Sequence, residues 1–148
     1  GGFPVGAFLA TAEAAKGMVP GTHGSTFGGN PLAMAVGDAV LETVLEPGFL
    51  EEVQRKTLRF KQLLARLKDE HADIVDEIRG EGLLIGVKIN AKFLAGDVVK
   101  AALGEHLLTV GAGDNVVRMI PPLTTPDDEL AEGVSRLSRA LARVKSAK

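Results

Sequence analysis

The stretch IVDEIRGEGLLIGVKI, Ile74 to Ile89, decides how this chain folds. Ile74 to Ile78 and Leu83 to Ile89 each read as a strand, rich in branched apolar residues and too short for a helix. Arg79-Gly80-Glu81-Gly82 has the spacing of a turn and predicts a hairpin or a sharply bulged connection. A strand pair of this composition needs apolar cover, and the flanking sequence supplies it.

Upstream, Phe49, Val53, Phe60, Leu64 and Leu67 recur at helical spacing, while Glu51, Arg55, Arg59, Arg66 and Asp69 take other faces. This predicts an amphipathic helix from Phe49 to Glu70. Downstream, Val98 to Leu103 reads as a short helix. Leu107 to Val110 and Val116 to Ile120 read as two more strands around Gly111-Ala112-Gly113-Asp114-Asn115, with Pro121-Pro122 closing the second. Thr125 is placed to cap a last helix with Pro126 at its first position and acidic residues in its first turn. Its core stripe is Leu130, Val134, Leu137, Leu141 and Val144. The expected architecture is α+β, a small sheet with helices packed on one side, over residues 48–148.

The remainder has a different character. Asn30 and Pro31 suit the N-cap and first position of a helix, and Leu32, Val36, Val40 and Val44 share one face of it, so 31–47 reads as a linking helix. In residues 1–30, Val5 to Leu9 is a candidate short strand and Thr11 to Ala15 a helical turn stopped by Gly17. GGFPVGAFLATAEAA has no cationic leader, and Glu13 and Lys16 interrupt it before it could span a bilayer. It reads as entry into the middle of a longer protein.

The chain has 148 residues and is 45% hydrophobic, enough for one or two small cores. Its 17 basic and 19 acidic side chains leave a net charge of −2, with no basic run, which argues against nucleic acid or an anionic membrane as partner. The absence of cysteine excludes disulfides, thiolate metal sites and thiol catalysis. His71 and His106 have no second ligand at helical spacing, so no metal site is expected. His23 reads as a locally bonded loop residue, and Lys16 as an ordinary cation at a helical C-terminus rather than a nucleophile.

Two candidates for chemistry remain. Gly21 to Pro31, GTHGSTFGGNP, opens a helix on a run of glycines, where converging N–H groups and the hydroxyls of Ser25 and Thr26 would favour an anion. A tight capped connection would use the same residues. Neither the nucleotide-hydrolase P-loop nor the dinucleotide motif is present. Arg118 is the second candidate. Strand alternation puts it on the face of Val116 and Ile120, where a guanidinium would be costly without a carboxylate or phosphate. On the strand pattern alone, a partly solvated face or a structural acidic partner is the favoured reading.

Four ordered segments, GGFPVGA, PGTHGSTFGGNPLA, RGEGLLIG and AGDNVVRMIPPL, resemble the C-terminal part of class III pyridoxal-phosphate aminotransferases. Within that class the wording is most similar to the acetylornithine aminotransferases, with ornithine and succinyldiaminopimelate aminotransferases close by. The resemblance implies the small C-terminal domain of a fold-type I transferase, preceded by a remnant of the large cofactor-binding domain over 1–30. It implies that Ser25 and Thr26 bind the phosphate of pyridoxal 5'-phosphate in the partner subunit of a homodimer, and that Arg118 binds the substrate α-carboxylate. It places the Schiff-base lysine upstream of Gly1, so no catalytic residue is assigned here and the chain alone is expected to be inactive. Amino-acid and 2-oxo-acid substrates, arginine biosynthesis and a cytoplasmic location follow from the same likeness. From the residues alone, a free-standing anion-binding module or an oligomerisation domain remains open.

Overall fold

The hairpin at Ile74 to Ile89 forms, with a tighter turn than the spacing suggested. A computed structural model describes residues 2–147 and places β1 at Val75–Glu81 and β2 at Leu84–Ile89. They pair antiparallel with Glu81 opposite Leu84 and Arg79 opposite Gly86. Arg79, Gly80 and Glu81 therefore belong to the strand, and Gly82 and Leu83 alone make the turn. Gly82 takes the positive φ of +56° that the first residue of a tight hairpin turn needs. Gly80 sits at φ +134°, and a Cβ there would collide with the carbonyl oxygen of Leu84. A register shift between Val75 and Glu77 marks a bulge at the start of β1.

Five more elements among the described residues complete this unit of the chain. Helix α2, Phe49–Glu70, matches the sequence reading, and α3 covers Ala95–Gly104. Strand β3 is Val110–Ala112 and β4 is Val116–Met119. The expected strand at Leu107 to Val110 is thus displaced toward the turn. The cause is His106, which holds φ +58° and breaks extended backbone just before it. The sheet order is β1-β2-β4-β3, all antiparallel.

Helix α4 runs Asp127–Ser146. Its N-cap is Pro126, in extended conformation, with no side-chain cap bond, so Thr125 is not the cap that the sequence suggested. Thr125 is instead buried, and its N–H donates to Pro122 O at 3.0 Å. The acidic residues Asp127, Asp128 and Glu129 still favour the helix dipole at this end.

One hydrophobic cluster joins Phe60, Leu64 and Leu67 of α2, Ile85, Val87 and Ile89 of β2, Val117 and Met119 of β4, Val98 of α3, and Leu130, Val134, Leu137 and Leu141 of α4. Strand alternation explains the pattern: Ile85, Val87 and Ile89 point into the core, while Leu84, Gly86 and Lys88 point to the other face. The helices therefore cover one side of the sheet and leave the other open, the α+β arrangement expected. Each fully buried Leu, Ile or Phe contributes about 1.5–3 kcal/mol of burial.

The chain divides into two compact units between Leu50 and Glu51. In the first, α1 covers Pro31–Val44, and Asn30 caps it by accepting from Ala33 N at 2.9 Å. Ala33 is the buried residue of this helix, and Leu32, expected on a packed face, is exposed. The strand expected at Val5 to Leu9 is absent; those residues are exposed and carry no ladder. Only a 3-10 turn at Ala14–Gly17 forms ahead of α1. Among the described residues, no helix is long and apolar enough to cross a membrane.

Candidate functional site

The candidate residues lie in two places. Ser25 and Thr26 sit in the glycine-rich loop of the first unit, and Arg118 sits on β4 of the second.

The loop from Pro20 to Asn30 is shaped by Gly21 and Gly29 at φ +89° and +69°, a region open to glycine at little cost. Gly28 has a different reason: a Cβ there would lie 3.1 Å from Ser25 Cβ and 3.3 Å from its hydroxyl. Asn30 closes the loop at both ends, accepting from Ala33 N and donating from Nδ2 to Phe27 O at 2.8 Å. The cap therefore occupies the Ala33 N–H itself. Ser25 and Thr26 are exposed, and among the described residues their hydroxyls have no hydrogen-bond partner. The backbone N–H groups from His23 to Gly29 likewise donate to no backbone carbonyl. Two free hydroxyls and a set of free N–H groups on a tight loop have the donor chemistry a phosphate requires.

Arg118 lies on the open face of the sheet. In β4 it is the exposed member, between buried Val117 and Met119, so its guanidinium reaches solvent instead of the core. The desolvation cost expected from strand alternation does not arise. The solvated-face reading is the one the geometry takes. Among the described residues the Arg118 side chain has no ion pair or hydrogen bond.

Its surroundings are specific. Arg118 is paired with Gly86 on β2 and with Val110 on β3, and Gly86 is paired in turn with Arg79 on β1. The row across the sheet is therefore Arg79, Gly86, Arg118, Val110. Gly86 leaves a trough floor between the two arginine stems, and a Cβ at this position would lie 2.9 Å from Val116 Cγ1. The trough is also lined by Leu84, Ala112 and Gly113.

The turn between β3 and β4 holds this row in register. Asp114 and Asn115 adopt φ +63° and +56°, left-handed conformations that Asp and Asn tolerate better than other side chains. Asn115 Oδ1 accepts from Ala95 N at 2.7 Å, and its Nδ2 donates to Ile89 O at 2.9 Å and Phe93 O at 3.0 Å. Asp114 accepts from Lys88 Nζ and, at 3.0 Å, from Arg79. Lys88 first and Arg79 second hold the Asp114 carboxyl below its ordinary range. The sequence showed Asp114 and Asn115 only as loop residues; a Gly-Asp-Asn run before a strand is the one signal that pointed to left-handed backbone.

His71 is away from this face. It is buried at the end of α2, its Nε2 2.7 Å from Ser138 Oγ, and its Nδ1 is buried without a partner. Burial pushes its pKa down, with Lys145 adding to the effect.

Arg118 and the glycine-rich loop each turn hydrogen-bond donors toward solvent. The family model "Aminotransferase class-III" matches residues 1–141, and the chain belongs to that family of pyridoxal-phosphate-dependent enzymes. It is 58% identical over 146 residues to acetylornithine aminotransferase 1 of Bradyrhizobium diazoefficiens, covering 99% of this chain and 36% of that protein. It is 57% identical over 142 residues to the acetylornithine aminotransferase of Agrobacterium fabrum, covering 96% and 35%. Among solved structures, N-acetylornithine aminotransferase from Stenotrophomonas maltophilia superposes with a TM-score of 0.73 at 35% identity, over 81% of this chain and 33% of that one. The chain thus spans about a third of the length of the relatives it matches.

Proposed function

We propose that this chain is the C-terminal part of an acetylornithine aminotransferase that moves the amino group of N-acetylornithine to 2-oxoglutarate. The observation that carries the reading is Arg118: a guanidinium with no partner among the described residues, facing outward across Gly86, in a chain 58% identical to an acetylornithine aminotransferase.

Both the donor and the acceptor of such a reaction carry an α-carboxylate, so one guanidinium can serve both halves of a ping-pong cycle. Arg118 would grip it bidentately, fixing the substrate's orientation by two parallel hydrogen bonds. The Ser25 and Thr26 hydroxyls and the free N–H groups beside them would hold the cofactor phosphate, in the partner subunit of a homodimer. Pyridoxal phosphate, when bound, supplies the electron sink for amino transfer. None of the 148 residues is assigned as the Schiff-base lysine, so the chain on its own is predicted to catalyse nothing. The role belongs in arginine biosynthesis, in the cytoplasm. Residues 1–30 would belong to the large domain, 31–47 to the linking helix and 48–148 to the small domain.

The test is a comparison of amino donors. The complete protein carrying these residues, supplied with pyridoxal phosphate and 2-oxoglutarate, is assayed for glutamate formed from N-acetylornithine, ornithine and N-succinyl-diaminopimelate. The proposal predicts the highest kcat/KM with N-acetylornithine. A clear preference for either other donor would replace it with the corresponding relative.

A further inference from the structure

Three cations rise from the open face of the sheet around Gly86, and they do not have equal company. Lys88 is paired with Val116, two residues before Arg118 on β4, so Lys88 and Arg118 are diagonal neighbours about 7–8 Å apart. Arg79 lies in the same row as Arg118, two strands away, at about 10 Å. An incoming carboxylate could be drawn to any of the three on charge alone. Asp114 changes that: its carboxylate engages Lys88 and Arg79 together, and Glu77 adds a second contact to Arg79 at 3.7 Å. Among the described residues Arg118 receives no such partner.

We propose that Asp114 is a specificity-determining residue, which occupies the two competing cations of this face so that a substrate carboxylate settles on Arg118 alone. The inference rests on the reading of Arg118 as the carboxylate-binding residue. It assigns Asp114 a task beyond shaping the turn. A turn requires only that residue 114 accept φ +63°, which asparagine does as well, whereas neutralising Lys88 and Arg79 requires the negative charge.

Asp114→Asn separates the two roles, because it keeps the shape and the left-handed tolerance and removes the charge. The 148-residue chain is titrated with glutarate, a dicarboxylate, while NMR follows the side-chain resonances of Arg118, Arg79 and Lys88. In the unaltered chain glutarate should move Arg118 and leave the other two in place, and Arg118→Gln should abolish the response. In Asp114→Asn all three should move, with binding about twofold tighter at low salt, the effect of removing one negative charge about 8 Å away in water. The double variant Asp114→Asn/Arg118→Gln should regain glutarate binding, now at Lys88 and Arg79. Lys88→Gln alone should leave Arg118 as the residue that glutarate moves, and in the Asp114→Asn background it should remove most of the gain. A response lost in Arg118→Gln but left unchanged by Asp114→Asn would overturn this inference and spare the reading of Arg118. A response that survives Arg118→Gln in the unaltered chain would overturn both.

Discussion

Gly86 is the position at which the open face leaves least freedom, and Gly86→Ala gives the sharpest perturbation of it. The added Cβ would lie 2.9 Å from Val116 Cγ1, well inside the 3.5–4.0 Å at which carbon atoms attract, while Arg79 O at 3.6 Å and Arg79 Cγ at 3.7 Å are ordinary contacts. Val116 cannot swing away easily, because it is buried and its branched Cβ restricts rotation about χ1. Overpacking of this kind costs about 1–3 kcal/mol. The loss of glycine's freedom in the unfolded chain returns up to about 1 kcal/mol. A net loss of about 1–2 kcal/mol should lower Tm by about 5–15 °C in a domain of this size. Val116→Ala removes the obstructing methyl. In thermal and urea unfolding, the double variant Gly86→Ala/Val116→Ala should therefore be less destabilised than the sum of the two single variants, by at least about 1 kcal/mol. Strict additivity, or a Gly86→Ala chain as stable as the parent, would refute this account of the trough.

Two further outcomes can be measured on the same chain. Asn115→Ala removes the acceptor for the Ala95 N–H and the donors to Ile89 O and Phe93 O, leaving the Ala95 N–H unpaired, and it forces alanine into φ +56°. Urea unfolding should show a loss of about 3–5 kcal/mol, of which Asn115→Gly recovers only the strain of about 1 kcal/mol. His71 is held neutral by burial, its pKa below the ordinary value, so the unfolded chain binds the proton more readily than the folded one. Stability is then full above about pH 6.5 and declines as pH falls from there toward the folded-state pKa. The urea midpoint should drop between pH 7 and pH 5, and His71→Asn should flatten that slope.

Much of this molecule was legible in its sequence where periodicity was long. Helix α2 spans the residues that its stripe of Phe60, Leu64 and Leu67 marks, and Leu130, Val134, Leu137 and Leu141 mark the core face of α4 in the same way. Short elements were harder. Arg79 to Glu81 resembles a turn because Gly80 lies within it and Gly82 follows it, yet cross-strand pairing to Leu84–Gly86 draws it into β1. Tertiary pairing outweighed local composition there. Thr125 carries the chemistry of a cap but is buried against the Pro122 loop, which no local rule foretells. The face of Arg118 followed from alternation, whereas its exposure within this unit depends on α2, α3 and α4 packing on the opposite side. Arg79 and Lys88 share one hairpin, but Asp114 lies 26 residues beyond Lys88 and meets them only through the strand order β1-β2-β4-β3.

The most direct measurement is steady-state kinetics of the complete aminotransferase carrying Arg118→Ala, with N-acetylornithine and with 2-oxoglutarate varied in turn. Loss of a charged, bidentate hydrogen-bonding group should cost about 2–3 kcal/mol, so kcat/KM should fall roughly 30- to 150-fold for both substrates. Arg118→Lys should restore only part of it, because an ammonium cannot reproduce the fork. Unchanged kcat/KM for both substrates in Arg118→Ala would contradict the central claim that this open-face arginine receives the α-carboxylate.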